Sequence, residues 1–540
     1  MADGSHGFNF PRPQVSRLRA GEIVVDLFAG GGGASEALKQ ALGIDPALAY
    51  NHDEWAIGIH AANHPLTQHH REDIWHADPR VDVAGRKVGW FHASPDCTHF
   101  SQAKGGQPRS RKTRALSWVV LKWCGQLSRV GLAPRIVSLE NVWQILTWGP
   151  LVAKRDRATG RVLKMDGSVA ARGERVPVAS QQLVPDKRHA GRTWAQFVAA
   201  LRVLGYVVEW RKLTASDFGA GTSRERLFLI ARCDGEAIVW PEPTHGRRDG
   251  LAPLVNAADC IDFSDLGRSI FDRPRPLADA TLRRIAKGLV KHVLQADEPF
   301  FLTEFANAGN GGRTWSAGEP LRTQCAKVKG GHFAMVAPAL VKFKGDSIGH
   351  AITEPVPVIT AGGACKRPAG AAHSLAVMAA HLVTLRNHAD GASALSPLRV
   401  IAAGGEHHAL ATCELSPNEE AGAARVAAFL MRYYGEGGQW GDLRNALPMV
   451  TTKDRMALVT VQVHGTPYVI VDIRLRMLRP AELFRAQGFP AGYVIDRTAD
   501  GRPISTSAAV RMVGNSVSPP PLRALAQANL DPVEELRMAA

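Results

Sequence analysis

The stretch Glu22-Ile23-Val24-Val25-Asp26-Leu27-Phe28-Ala29-Gly30-Gly31-Gly32-Gly33 decides the fold of the first half of the chain. Its apolar part, Glu22–Phe28, predicts a buried strand, the four glycines predict a turn, and Ala34–Leu42 has helical spacing. Glycine admits positive φ and lets the backbone approach a ligand, and the following helix begins with free N–H groups. The stretch therefore predicts a strand–turn–helix unit that can bind a ligand at its turn. It lacks the G-x-G-x-x-G spacing of dinucleotide enzymes, so the turn alone is a weak signal.

The same alternation continues through residues 21–240, where short apolar runs are followed by amphipathic stretches. This pattern is typical of parallel strands joined by crossover helices, and it predicts an α/β domain. Helices are expected at Glu54–Asn63, Ala115–Arg129 and Trp194–Leu204, and further strands at Ala47–Tyr50, Val88–Ala93, Arg135–Leu139, Tyr206–Thr214 and Arg226–Arg232.

The bulk composition is that of a globular protein. Its 540 residues are 45% hydrophobic and 21% charged, which suits about two or three domains. No window reaches about 18 uninterrupted apolar residues, so we expect no membrane span. Residues 1–20 have no apolar segment of the signal-peptide type and are expected to form a flexible N-terminal arm.

The charge balance points to a polyanionic partner. The formal net charge is +15 and the pI is near 9.7. Phosphate contacts release counterions and steer association, so a basic protein of this size often acts on nucleic acid. A solvated basic surface is the alternative that charge alone leaves open.

Cysteine and histidine usage indicates the compartment and disfavours a metal. The seven cysteines include no CxxC pair, which argues against a disulfide framework and a zinc ribbon and for a reducing, cytoplasmic setting. The 20 histidines form no HExxH pattern, so we expect no metal cofactor.

Two regions depart from the α/β pattern. Residues 151–190 form a basic insertion around the turn Ala158-Thr159-Gly160, either a solvated loop or a contact for nucleic acid. Residues 245–470 form a separate region, within which about four units repeat between 300 and 460. The repeat openings are Leu302-Thr303-Glu304-Phe305, Leu340-Val341-Lys342-Phe343, Leu382-Val383-Thr384-Leu385 and Leu430-Met431-Arg432-Tyr433. Such periodicity predicts stacked, mainly β units that present a recognition surface, or a duplicated scaffold without such a role.

A candidate nucleophile, a carboxylate and a pair of arginines lie near the ends of predicted strands. Cys97 lies in the polar run after Pro95, where a thiol can face a pocket, although a lone cysteine is more often a buried apolar residue. Glu140 ends an apolar strand, where a carboxylate can hold or give a proton. Arg224 and Arg226 alternate on one face of an extended segment and can clamp a carbonyl or a phosphate.

Several residues near the predicted strand ends suit a nucleoside ligand. Phe28 beside the glycine turn can pack on an adenine ring. The segment Tyr50-Asn51-His52-Asp53 lies where a polar residue commonly meets ribose hydroxyls, and Arg71-Glu72-Asp73-Ile74 places an acid at a third strand end.

Together these motifs resemble the DNA cytosine-5 methyltransferases, which use S-adenosylmethionine. The resemblance covers residues 21–240 and 470–530. It is carried, in the family's order, by Asp26–Gly33, Pro95–Ser101, Glu140–Val142, Arg224–Arg226, Arg476–Pro490 and Gly514–Val517.

The resemblance implies a Rossmann-like methyltransferase domain with an inserted, repeat-containing, mainly β target-recognition domain. The catalytic domain would comprise residues 21–240, with the basic insertion at about 151–190, and would be completed by residues 471–530. The chain departs from the family at Asp96 and Thr98, where proline and glutamine are usual, at Asn51, where an acid is usual, and at Thr222, where glutamine is usual.

The resemblance also implies roles for individual residues. Cys97 would attack C6 of cytosine, Glu140 would hold N3 and the exocyclic amine, and Arg226, with Arg224 near it, would bind O2. The methyl donor would contact Phe28, Ala29, Gly30, Gly32, Gly33, Asn51, His52, Asp73, Ile74, Pro95, Asn515 and Ser516. Double-stranded DNA would contact Ser101, Gln102, Lys104, Arg155 and Arg157, and the target base would flip out of the duplex.

Several alternatives stay open at this point. The same residues would serve a tRNA or other RNA cytosine-5 methyltransferase, and a degenerate homologue could bind DNA without catalysis. A bacterial or phage-encoded, nucleoid-associated enzyme that acts as a monomer on DNA is the expectation, with a separate cognate restriction endonuclease as a further candidate partner. The sequence leaves open the target site and the choice between restriction–modification, phage protection and regulation.

Overall fold

The computed structural model divides the chain into two compact units. The first comprises Met1–Pro253, Thr323–Lys327 and Gln487–Ala540, and the second comprises Leu254–Arg322 and Val328–Ala486. The structure describes residues 16–96, 100, 110–260, 262, 268–271, 273–277, 279, 282, 285–286, 301–303, 314–316, 321–322, 334–343, 374–384, 392–393, 408–413, 460–463, 466–469 and 473–532.

The first unit is built on one mixed sheet. The strands of three or more residues in this unit before residue 253 are β1 (Glu22–Leu27), β2 (Leu48–Asn51), β3 (Gln68–Arg71), β4 (Lys87–Ala93), β5 (Ile136–Asn141), β6 (Leu151–Ala153), β7 (Leu183–Pro185), β8 (Val207–Thr214) and β9 (Glu225–Arg232). Its helices in that range are α1 (Gly33–Leu42), α2 (Glu54–Asn63), α3 (Pro79–Asp82), α4 (Arg111–Arg114), α5 (Trp118–Ser128) and α6 (Arg192–Val203). The predicted α/β domain is therefore confirmed.

The strand order of the main sheet is β3-β2-β1-β4-β5-β9-β8. Strands β3, β2, β1, β4 and β5 pair in parallel, whereas β9 pairs antiparallel with both β5 and β8. The order reverses beside β1, so a crevice forms outside the carboxyl ends of β1 and β4, which is where doubly wound sheets bind ligands.

Both faces of this sheet are buried. Val25 and Leu27 of β1 enter one core while Val24 enters the other, because successive side chains point to opposite faces. Trp123 of α5 packs in the first core, and Leu38 of α1 packs in the second. This double burial explains why the strands read as continuous apolar runs.

The second unit holds the repeat region. Its strands of three or more residues are β10 (Phe301–Thr303), β11 (Thr314–Ser316), β12 (Ala334–Phe343), β13 (Ser374–Thr384), β14 (His408–Cys413), β15 (Thr460–Val463), β16 (Thr466–Val469) and β17 (Arg474–Met477), and its described helices are α7 (Ala257–Cys260) and α8 (Pro480–Ala486). Strand β12 pairs antiparallel with β13 and parallel with β14, which also pairs with β17. The second and third predicted repeat openings lie in β12 and at the end of β13, and the first begins in β10, whereas Leu430–Tyr433 lies outside the described residues. A role of this unit in target recognition stays a prediction.

The chain then returns to the first unit. Helices α9 (Thr506–Asn515) and α10 (Pro519–Asn529) follow, and Leu522 and Leu525 of α10 pack in the same core as α1. Ser16–Arg17 pairs with Asp531–Pro532, which ties the end of the expected N-terminal arm to the last strand. Of the segment 471–530 that was predicted to complete the catalytic domain, residues 487–530 lie in the first unit and residues 471–486 lie in the second, so the domain boundaries stay a prediction.

Candidate active site

The predicted site residues gather at one edge of the main sheet. Phe28 follows β1, Asn51 ends β2, Pro95 lies two residues after β4, and Glu140 lies near the end of β5. Parallel strands present their carboxyl ends at the same edge, so the topology brings these four positions together.

The glycine turn is packed from behind by the C-terminal segment. A Cβ on Gly31 would lie 2.9 Å from Oγ of Ser516, and one on Gly32 or Gly33 would overlap the Tyr493 hydroxyl or the Val517 carbonyl. These glycines are therefore required by packing between segments about 460–490 residues apart in sequence. This finding sharpens the sequence interpretation, which attributed the glycines to ligand approach.

The open side of the turn leaves room for a ligand. Phe28 is half-buried and has a φ of 63°, a left-handed conformation that a non-glycine residue rarely adopts. At Gly30, with a φ of 53°, a Cβ would meet only the Phe28 carbonyl, at 3.6 Å. A strained aromatic residue beside open backbone space indicates a functional position.

The other predicted cofactor residues lie on loops around this turn. Asn51 accepts from the backbone N–H of Asp53 at 2.9 Å, and Asp53 caps α2, so Asp53 is committed to the helix. His52 is exposed. Asp73 accepts from the Trp75 N–H at 3.2 Å, and the neighbouring Ile74 is buried. These positions follow β2 and β3, as predicted.

Glu140 and the paired arginines form a buried charged cluster. Nε of Arg226 lies 3.1 Å from Oε1 of Glu140, and Nη2 of Arg224 lies 3.8 Å from the same oxygen. Strand β9 brings the arginines here because Phe228 lies opposite Glu140 in the antiparallel register. Within the described part of the chain, neither Oε1 of Glu140 nor Nε of Arg226 has a hydrogen bond of acceptable geometry. Buried polar atoms are normally hydrogen-bonded, so these two atoms can each form a hydrogen bond with a ligand.

The chain leading to the cysteine is held by the neighbouring strand ends. Ser94 donates its N–H to the Leu27 carbonyl at 3.2 Å, and Asn141 donates from Nδ2 to the Pro95 carbonyl at 3.0 Å. Asn141 was not predicted to have a role, although it adjoins Glu140 in the same motif. Cys97 itself lies outside the described residues.

Cys124 and Cys260 are unsuited to act as nucleophiles. Burial raises the pKa of the Cys124 and Cys260 thiols to about 12, so both are protonated at neutral pH. Cys233, which follows β9, is exposed.

The C-terminal segment reaches the site through three contacts that the sequence did not reveal. Arg224 donates to the Gly514 carbonyl at 3.1 Å, which fixes the end of α9. The Tyr493 hydroxyl donates to the Gly31 carbonyl at 2.7 Å, and Asn63 both donates to and accepts from the backbone of Val494, at 2.8 and 2.7 Å. No local pattern could have paired these positions, because their separation exceeds 280 residues.

The two predicted site residues at the end of α9, Asn515 and Ser516, differ in exposure. Asn515 is exposed at the last position of the helix, whereas Ser516 is buried and donates to the Met512 carbonyl at 2.9 Å. Ser516 therefore supports the glycine turn from behind, and only Asn515 has an exposed side chain.

A chain of buried polar side chains lies beneath the glycine turn. The Ser35 hydroxyl donates to Oδ2 of Asp26 at 2.7 Å and lies 2.8 Å from Nε2 of His60, whose Nδ1 lies 2.8 Å from Nε2 of His69. Burial raises the pKa of Asp26 to about 7 and lowers the pKa of His60 well below its usual value. The chain connects β1, α1, α2 and β3 behind the site.

The predicted DNA contacts divide into two groups. Ser101, Gln102 and Lys104 lie outside the described residues. Arg155 and Arg157 are exposed in the basic insertion.

Among the described residues, no group of three or more His, Cys, Asp or Glu side chains could hold a metal ion. No helix that the structure describes is long and apolar enough to cross a membrane.

Residues 23–149 and 181–249 match the family model of the C-5 cytosine-specific DNA methylases. The chain is 25% identical over 277 residues to the type II methyltransferase M.AgeI of Thalassovita gelatinovora, across 50% of this chain and 51% of that protein. It is 26% identical over 250 residues to the type II methyltransferase M1.HphI of Haemophilus parahaemolyticus, across 44% and 54%. The chain thus spans about half the length of these two relatives.

Among solved structures, a DNMT2 mutant of Spodoptera frugiperda aligns with 94% of this chain and 99% of its own, at 14% identity and a TM-score of 0.40. A TM-score of this size does not establish a shared fold. The fold assignment rests on the strand order and on the family match.

Proposed function

We propose that this chain, whose residues 23–149 and 181–249 match the family model of the C-5 cytosine-specific DNA methylases, methylates C5 of a cytosine in duplex DNA. The observation that carries the proposal is the buried pair of Glu140 and Arg226 at the sheet edge. A carboxyl group can accept from the exocyclic amine of cytosine and, when protonated, donate to N3, and a guanidinium can donate to O2. The unused hydrogen-bonding capacity of both groups supports their assignment to the base.

In the proposed reaction, the Cys97 thiolate adds to C6, and the electron pair of the C5–C6 double bond makes C5 nucleophilic. Glu140 holds the exocyclic amine and donates a proton to N3, which offsets the negative charge that develops on the ring, while Arg226 donates to O2. S-Adenosylmethionine supplies, from its sulfonium, the methyl group that C5 accepts. A base then removes the C5 proton, Cys97 leaves as the thiolate, and N3 returns its proton to Glu140, which restores the aromatic ring.

The residues around the glycine turn would hold the methyl donor. Phe28 would pack on the adenine, Gly30 would leave room for the ligand, and Asn51 and Asp73 would bind polar groups of the adenosine. Asn51 is neutral where the family usually has an acid, so we propose a neutral amide contact to the ribose.

The target cytosine has to leave the duplex before this chemistry, because C6 is shielded by stacking. The burial of both Glu140 and Arg226 supports a flipped base, since neither group is accessible to an intact duplex. The net charge of +15 supports a nucleic acid as the substrate.

The covalent step has a direct test in duplex DNA that carries 5-fluorocytosine. Fluorine at C5 cannot leave as a proton, so the wild-type protein with S-adenosylmethionine should form a denaturation-resistant complex with the duplex. Cys97→Ser should form none, whereas the matched control Cys233→Ser should behave as wild type, because Cys233 lies outside the proposed site. A complex that survives Cys97→Ser would refute the assigned nucleophile.

The nucleic-acid class is tested in the same assay. Transfer of tritium from labelled S-adenosylmethionine to duplex DNA should exceed transfer to tRNA. Preferential methylation of tRNA would instead support the RNA enzyme that the sequence left open.

The cellular setting is a proposal of the same kind. The names of the type II methyltransferases that this chain resembles support a cytoplasmic restriction–modification role with a separate endonuclease. Bisulfite sequencing of host DNA after expression would give the modified base and its sequence context. Sedimentation of the protein–DNA complex would test the proposed monomer.

A further inference from the structure

The basic insertion is an addition of this chain to the family pattern. The family model matches residues up to 149 and resumes at 181, so it passes over most of the segment 151–190. The proposed reaction also uses none of its residues.

The insertion is a folded module. Strands β6 and β7 pair antiparallel at its base, and isolated bridges join Arg155 to Val162, Leu163 to Val169 and Lys164 to Gln181. The side chains of Ala170, Val176 and Leu183 within it are buried. A module with fixed strands can hold its charged side chains in a definite arrangement, which a solvated loop cannot.

Each acidic side chain of the module forms a hydrogen bond or an ion pair with another residue of the module. Asp156 accepts from Thr159, Asp166 accepts from Ser168, and Asp186 accepts from the Arg188 N–H and contacts His189. Glu174 accepts from the Ala171 N–H and pairs with Lys164 at 2.6 Å.

Its exposed basic residues are, by contrast, without carboxylate partners. Within the described residues, no ion pair to a carboxylate is made by Arg155, Arg157, Arg172, Arg175, Lys187 or Arg188, all of which are exposed. The module therefore presents six exposed cations that form no ion pair with its own carboxylates within the described residues.

The base of the module packs against Phe100 and Arg114. Trp148 lies edge-on to Phe100, with ring centroids 5.9 Å apart, and Arg114 lies 4.5 Å over the Phe100 ring and donates to the Gly149 carbonyl at 3.2 Å. A Cβ on Gly149 would overlap the His189 carbonyl, so the two arms of the module meet closely here. Phe100 lies three residues after Cys97, and the module begins ten residues after β5 ends at Asn141.

We propose that residues 151–190 form a phosphate-binding module that grips the DNA backbone beside the flipped cytosine. This deepens the proposed function, on which it rests for the identity of the polyanion. Exposed arginines on a rigid support suit phosphate oxygens, which accept paired N–H donors. Such contacts add affinity and register without reading sequence, and sequence reading is left to other parts of the protein.

The test compares two triple variants of the full chain with equal charge change. The module variant is Arg157→Gln/Arg172→Gln/Arg175→Gln. The control is Lys87→Gln/Arg129→Gln/Arg202→Gln, whose exposed residues lie at the opposite, amino-terminal edge of the sheet. The Kd for a fluorescent 30-base-pair duplex of mixed sequence is measured between about 50 and 200 mM salt.

Each lost phosphate contact lowers the slope of log Kd against log salt by about 0.9. The module variant should lose about 3 from this slope, so its ratio of Kd values at the two salt concentrations should be roughly 40-fold smaller than that of wild type. The control variant should keep the wild-type slope. Unchanged thermal unfolding of both variants would verify that they fold.

Three outcomes would overturn the inference: equal slopes for the two triple variants, no DNA binding by the wild-type protein, or module-dependent binding that favours structured RNA over duplex DNA. Failure of the proposed function would look different, because wild type would then transfer no methyl group to DNA whatever its salt dependence.

Discussion

The close packing of Tyr493 on Gly32 leads to a quantitative prediction. Gly32 has a φ of 88°, and a Cβ there would overlap the Tyr493 hydroxyl and lie 3.2 Å from Nε2 of His64. Gly32→Ala should therefore cost about 1–2 kcal/mol for the left-handed backbone and about 1–3 kcal/mol for overpacking.

Tyr493→Phe removes the overlapping hydroxyl together with its hydrogen bond to the Gly31 carbonyl. Leaving this buried carbonyl without its partner should cost about 1–3 kcal/mol. In the double variant the main overlap is absent, so only the backbone strain and the lost hydrogen bond remain. The double variant should then be about 1–3 kcal/mol more stable than the sum of the two single changes predicts.

The assay is urea unfolding of the wild-type protein, the two single variants and the double variant, followed by tryptophan fluorescence. Affinity for S-adenosylmethionine, measured by calorimetry, should fall most in Gly32→Ala and recover partly in the double variant. If the two changes add to within about 0.5 kcal/mol, the C-terminal segment does not press on the turn and the reasoning is wrong.

Three further predictions concern other parts of the site. Glu140→Gln keeps the shape of the side chain but removes the charge that faces Arg226, so the single-turnover methylation rate should fall about 10²–10⁴-fold, and a loss below threefold would exclude a role in catalysis. Asp26 has its pKa raised to about 7, so between its ordinary value of 3.8 and 7 the folded state binds a proton that the unfolded state does not, and stability falls as pH rises through this window. The stability of wild type relative to Asp26→Asn should decrease by about 3 kcal/mol from pH 5 to pH 8 in urea titrations, and a constant difference would contradict the buried acid. Asn63→Ala removes both hydrogen bonds to Val494 and should cost about 2–4 kcal/mol, measured as a shift of the urea midpoint with unchanged slope.

Much of the sheet could be predicted from local patterns because its parallel strands are buried on both faces. The predicted helix Glu54–Asn63 has the observed bounds, and the predicted strand Val88–Ala93 starts one residue late. The antiparallel pairing of β9 with β5 was not foreseen, since apolar runs do not reveal strand direction. That pairing is what brings Arg226 to Glu140.

The sequence by itself determined the predicted order of strands and site residues, because the residue types after each strand are local features; the chemistry assigned to them stays a prediction. It also indicated that segments from both ends of the chain belong to one catalytic domain. Only the tertiary structure decided why Gly31–Gly33 are glycines, since the atoms that a Cβ would meet come from residues 493–517. The structure likewise decided that the basic insertion is a folded module beside Phe100, because its acids are used inside it and its base is packed by Trp148 and Arg114. Contacts of this kind depend on distances between parts of the chain that no local pattern encodes.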